Sequence, residues 1–211
     1  GEKELEGFVW ERRGRENTQF IVRDQSWFKN DFYDKIQKIR TNPEWFNQSG
    51  WLPESTQSRL DMYNPLVMSK MFLLNDVTIW NPFDTDYFFW LDAGITNTVP
   101  HHHLADDNVL EKLTNYGNPF LFLSYPYEAN TEIHGFDFDA INRYAGQKVK
   151  YVCRGGLFGG HKEAIRGANG TYYSLLSETL NSNYMGTEES IFSIMAVREP
   201  QIYKRFMLDD N

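Results

Sequence analysis

Residues 87–92, Tyr-Phe-Phe-Trp-Leu-Asp, constrain the fold more than any other stretch. Five large apolar or aromatic side chains run without a polar interruption into Asp92, and the small residues Ala93 and Gly94 follow at once. A short continuous apolar run of this kind predicts a strand buried on both faces, which a two-sided sheet provides. An acid at its end, followed by residues without bulk, sits where a ligand can approach the backbone of an α/β sheet. The competing reading is a turn-capping aspartate, since Asp-Ala-Gly is also good turn chemistry.

The rest of the chain alternates strand and helix patterns. Phe8–Trp10 and Gln19–Val22 read as short strands. Phe32, Ile36 and Ile39 fall at helical spacing behind Asn30 or Asp31 as a cap. The segment 41–55 is an aromatic loop punctuated by Pro and Gly, with Trp45 and Trp51 free to stack on a base or sugar. Residues 55–76 read as helix, with Pro65 starting or kinking the second part and Leu66, Met68, Phe72 and Leu73 as its buried face. A short helix closed by Gly117, strands at 119–125 and 149–154, and a helix at 138–144 follow. The last third reads as helix over Lys162–Ile165, Tyr172–Asn181 and Glu188–Val197. The sum is one α/β domain over residues 1–211, a mixed sheet flanked by helices.

The net charge of −8 offers no counterion-release affinity for nucleic acid, which argues against that partner. The single cysteine, Cys153, rules out an intramolecular disulfide and multi-cysteine zinc sites, and its strand context points to burial. With no transmembrane-length apolar stretch, the chain reads as cytoplasmic, with peripheral membrane contact left open.

Four constellations could carry chemistry. Asp92 is the first. The second is residues 153–165, where Gly155-Gly156 and Gly159-Gly160 bracket Leu157 and Phe158 ahead of a helix starting near His161. Such glycines permit a substrate to lie against main-chain amides, or simply make a bend. Arg154 and Lys162 flank them and could neutralise a diphosphate. The third is Thr187-Glu188-Glu189, where Thr187 caps a helix. Capping accounts for one acid more readily than for two, and an acid facing a cleft could serve as base, nucleophile or stabiliser of positive charge at a sugar carbon. The fourth is His101–His103, read as a solvated loop or, with Asp92, Asp106 or Asp107, as the centre of a metal-dependent hydrolase.

Residues 42–46, 63–76, 88–95, 155–165 and 186–195 together resemble the HtrL/YibB-like proteins, in order and in separation, from about Phe28 onward. That family is similar to glycosyltransferases of the GT-A type. The resemblance implies a nucleotide-sugar donor, a saccharide or other hydroxyl acceptor, and a divalent cation (Mn²⁺ or Mg²⁺) at a strand-end Asp-x-Asp. Asp92 matches the first acid, but Gly94 stands in place of the second, so either a histidine such as His161 completes the metal site or the metal is weak or absent. The same comparison gives Asp92, Gly94, Arg154, Gly155, Gly156, Gly159, Gly160 and Lys162 as donor-binding residues, and Glu189 with Glu188 as the acids near the reacting carbon. It also resembles retaining enzymes that transfer galactose-type sugars. GT-A domains begin with strands that grip the base, and this chain opens later, which implies a fragment or a short family member. A binding module without catalysis is the alternative.

Overall fold

In the computed structural model, residues 3–97, 108–116, 118–128 and 132–207 are described. The apolar run forms strand β1 (Tyr87–Leu91), followed by β2 (Phe120–Glu128), the two-residue strands β3 (Glu132–Ile133) and β4 (Phe136–Asp137), then β5 (Tyr151–His161) and β6 (Tyr203–Met207). The main sheet runs β1-β5-β2-β6, with β5 antiparallel to both neighbours and β6 parallel to β2. The helices are α1 (Glu6–Arg13), α2 (Tyr33–Arg40), α3 (Pro43–Phe46), α4 (Thr56–Arg59), α5 (Tyr63–Met68), α6 (Lys70–Trp80), α7 (Val109–Tyr116), α8 (Phe138–Ala145), α9 (Lys162–Asn181) and α10 (Glu188–Arg198). The class is therefore α/β, with an open mixed sheet flanked by helices.

The core centres on α10, whose residues Ile191–Val197 are all buried, as expected of a helix apolar on every side. It packs on β5 and α8, and Phe192 lies between Phe122 of β2 and Phe158 of β5 at ring separations of 4.8 and 4.7 Å. Helix α9 lies against α6 and α10. Its residues run unbroken through Gly167 and Gly170, where separate helical pieces were expected.

Several expectations are corrected. β1 is an edge strand rather than a fully buried one: Phe88 and Trp90 pack on the core, but Leu91 is 52% exposed. Its outer side borders an apolar groove of about 1320 Å³ shared with α6 and residues 21–28. Leu66 and Leu73 line that groove, Met68 is buried as expected, and Met71 and Leu74 take the other buried positions. Phe8–Trp10 lie in α1, and Gln19–Val22 belong to neither helix nor strand. The 41–55 segment contains helical turns, and Trp45 is buried with its indole N–H donating to the Met185 carbonyl, which removes it from any ligand. β6 was not anticipated. Gly117 lies outside the described residues.

The glycine-rich stretch 155–160 is not a loop but the middle of β5. Gly159 has φ +148°, and a Cβ there would stand 2.2 Å from the Phe88 carbonyl oxygen of β1. Its bareness serves strand packing. Gly159→Ala is therefore expected to lower unfolding stability by about 2 kcal/mol or more, whereas Gly167→Ala, in open space within α9, should raise it by about 0.5–1 kcal/mol. Urea unfolding of the two variants measures both signs.

Candidate functional site

A register break in β5 builds the site. Phe122 pairs with Phe158, but the next β2 residue, Leu123, pairs with Arg154, so Gly155, Gly156 and Leu157 have no partner on β2. Bulges of this kind re-aim main-chain groups. Here the Gly155 N–H donates to Glu189 Oε1 at 2.8 Å, and the Gly155 carbonyl accepts from Lys70 Nζ at 3.1 Å. The Gly156 carbonyl accepts from the Asp92 N–H at 2.9 Å, holding Asp92 just past β1. A Cβ on Gly155 would meet Glu188 Oε1 at 2.1 Å, so only glycine fits beside that carboxylate.

Thr187 caps α10 as expected, its Oγ1 accepting from the Glu189 N–H. The first turn then sends the two acids to different surroundings. Glu188 is buried against Lys70, whose Nζ is 2.9 Å from Glu188 Oε1 and 2.9 Å from Asp92 Oδ2. The second Asp92 oxygen accepts from the Trp90 indole N–H at 2.6 Å. Glu189 Oε2 lies 2.7 Å from His134 Nε2 and 3.2 Å from Arg154 Nη1. The His134 contact is close but is not an aligned hydrogen bond. His134 reaches it because His134 and Gly135 form the two-residue turn of the β3–β4 hairpin, both at positive φ (53° and 87°). The Arg154 guanidinium also lies over the Tyr125 ring.

Asp92, Gly94, Ile95, Leu123, Tyr125, Arg154, Gly156 and Glu189 line a cavity of about 320 Å³ that opens beyond the carboxyl end of β1. Of the residues expected from sequence, Asp92, Gly94, Arg154, Gly155, Gly156, Glu188 and Glu189 come together here. Gly159, Gly160, His161 and Lys162 do not. In the β1–β5 register Tyr87 faces His161 while Leu91 faces Leu157, so His161 lies at the far end of the strand, about 16 Å from the level of Asp92. His161 caps α9 through Nδ1, and Lys162 pairs with Asp86 at 2.7 Å. Gly155 and Gly156 offer their main chain to Glu189, Lys70 and Asp92 rather than to a substrate. His101–His103, Asp106 and Asp107 lie outside the described residues. Among the described residues no cluster of three or more His, Cys, Asp or Glu is arranged to hold a metal ion, and no helix is long and apolar enough to cross a membrane. Cys153 is buried and its thiol is pushed up to about 11 by that burial, which leaves it unreactive.

The sequence alone assigns no role to Lys70, Tyr125 or His134. Lys70 had a signal: it is the only cation between residues 60 and 83, inside an otherwise apolar helical run.

The environment splits the two acids. Burial pushes the Glu188 carboxyl up to about 7, beyond what its share of the Lys70 ammonium offsets, with Glu189 adding to the rise. Burial also acts to raise Glu189, but His134, Arg154 and the Gly155 N–H outweigh it and hold that carboxyl below its ordinary range. Between its unfolded value near 4.5 and about 7, folded Glu188 retains a proton that the unfolded chain has lost, so stability falls as pH rises through that window. Glu188→Gln should remove this slope, on the order of 1–3 kcal/mol between pH 5 and 7.5. Melting temperatures of the two proteins across that range check it, and parallel curves would contradict it.

The family described as "Bacterial protein of unknown function (HtrL_YibB)" matches residues 14–208. No curated protein and no solved structure matches the chain. With the match running from ahead of α2 through β6, the chain belongs to the HtrL_YibB family.

Proposed function

We propose that this protein is a GT-A-like glycosyltransferase that moves a sugar from a nucleotide-sugar donor to a hydroxyl acceptor. The observation that carries the reading is the pairing of an ionised Glu189, held by the Gly155 N–H and the Arg154 guanidinium, with Asp92 around a cavity suited to one sugar ring. In such a transfer the bond from the anomeric carbon to the diphosphate breaks, and the diphosphate leaves with the electron pair. The acceptor oxygen bonds to that carbon and gives up its proton to an oxygen of the departing diphosphate. Positive charge grows on the sugar ring meanwhile, and a fixed carboxylate beside it lowers the barrier without reorganising. Glu189 fills that role, and Arg154, whose guanidinium reaches the same cavity, faces the leaving diphosphate. Asp92 accepts hydrogen bonds from sugar hydroxyls, and Gly94 leaves room above it.

A saccharide- or nucleotide-binding module without turnover is the second reading. It is favoured by the engagement of both oxygens of Asp92 and of Glu189 with protein donors. One comparison separates the two. Glu189→Gln should lower release of nucleoside diphosphate from the accepted donor by at least about 100-fold while leaving the donor's Kd within about threefold. Turnover that is absent from the wild-type chain with every nucleotide-sugar offered, alongside measurable binding, would establish the module.

A further inference from the structure

We propose that Lys70 is the resident cation of this site, standing where a divalent ion would, so that a nucleotide diphosphate binds without a metal. The inference takes the identity of its ligand from the transferase reading, but the geometry behind it does not depend on that reading. Three oxygens from three elements converge on Lys70 Nζ: Asp92 Oδ2 after β1, Glu188 Oε1 of α10 and the Gly155 carbonyl of β5, at 2.9, 2.9 and 3.1 Å. Two carboxylates and a carbonyl are the hard-oxygen set that Mg²⁺ or Mn²⁺ prefers, but such an ion draws its ligands to about 2.1 Å. At the observed spacing the set fits an ammonium, and it uses all three of the Lys70 N–H donors.

Among the described residues, the remaining groups do not supply a second place for the ion. The other Asp92 oxygen is held by the Trp90 indole, and the aromatic face of Trp90 lies 5.9 Å from Nζ. Glu189 Oε1 is held by the Gly155 N–H, and its Oε2 by His134 and Arg154. Gly94 contributes no oxygen side chain where the Asp-x-Asp pattern has its second acid. The described residues therefore do not fit the Mn²⁺ or Mg²⁺ that the resemblance implies. Lys70, with a side chain only 12% exposed, is the first residue of α6 and bridges Asp92 and Glu188, which leaves Arg154 as the cation that meets the ligand.

Titration of the full chain with MnCl₂ alone, followed by loss of the free-ion EPR signal, tests the assignment. Wild-type protein should show no Mn²⁺ site that Asp92→Asn removes. Lys70→Met should gain one, at least about tenfold tighter than any wild-type binding, and lose it again when Glu188→Gln is added. A wild-type Mn²⁺ site abolished by Asp92→Asn would overturn the proposal, as would a folded Lys70→Met chain that gains none. If Lys70→Met does not fold, the comparison of wild type with Asp92→Asn still decides. In a second arm, UDP and GDP should bind wild-type protein equally within about threefold in EDTA and in Mn²⁺. Tightening by more than about tenfold in Mn²⁺ that Asp92→Asn abolishes would overturn it too. Absence of diphosphate binding in both buffers would defeat the transferase reading, and the MnCl₂ titration would still read the role of Lys70.

Discussion

The buried ammonium of Lys70 is the contact on which the site depends. It joins the start of α6, the end of β1, the β5 bulge and the first turn of α10 at one point. A lysine this enclosed is stable only with its donors matched, and removing one partner of such a pair leaves an uncompensated charge worth about 3–5 kcal/mol. The carboxylates answer the same need, since Glu188 is nearly inaccessible and would be costly to bury beside Glu189 alone. Local sequence follows from the network. Gly155 has no side chain because Glu188 occupies that space, and β5 leaves the β2 ladder there so that its carbonyl can face the ammonium.

The adjacent acids of α10 then differ in charge state because they differ in neighbours. Glu188 meets half an ammonium and much apolar surface, including the fully buried Tyr172, whose own hydroxyl is pushed well above its ordinary range by burial and by Glu188. Glu189 meets an arginine, a histidine and a main-chain N–H. Carboxyls driven apart in this way take separate tasks. One braces the floor of the site, and the other presents a fixed negative charge to the cavity.

Much of this was legible in the sequence, and what was not has physical causes. The strand ending at Asp92, the Thr187 cap and the helix of Ile36 and Ile39 rest on local patterns, and each is present. The edge position of β1 was hidden because an apolar run looks alike whether covered by sheet or bordering a groove. The glycines misled for a related reason: a bulge and a close strand crossing need glycine as much as a loop does. Along β5, residues close in number such as Arg154 and His161 fall at opposite ends of the strand, one at the site and one far from it, which spacing cannot reveal without register. Lys70 and His134 are brought in by tertiary structure from 22 residues before Asp92 and 55 before Glu189. Only the solitary cation in a largely apolar helix, and a His-Gly turn between two apolar residues, pointed toward them.

The most direct measurement is anomalous diffraction from crystals of the wild-type chain grown with Mn²⁺ and a nucleoside diphosphate. The account predicts Lys70 Nζ between Asp92 and Glu188, with the diphosphate beside Arg154 and no anomalous peak among the carboxylates. A manganese peak at that point, with the Lys70 side chain turned away, would contradict it.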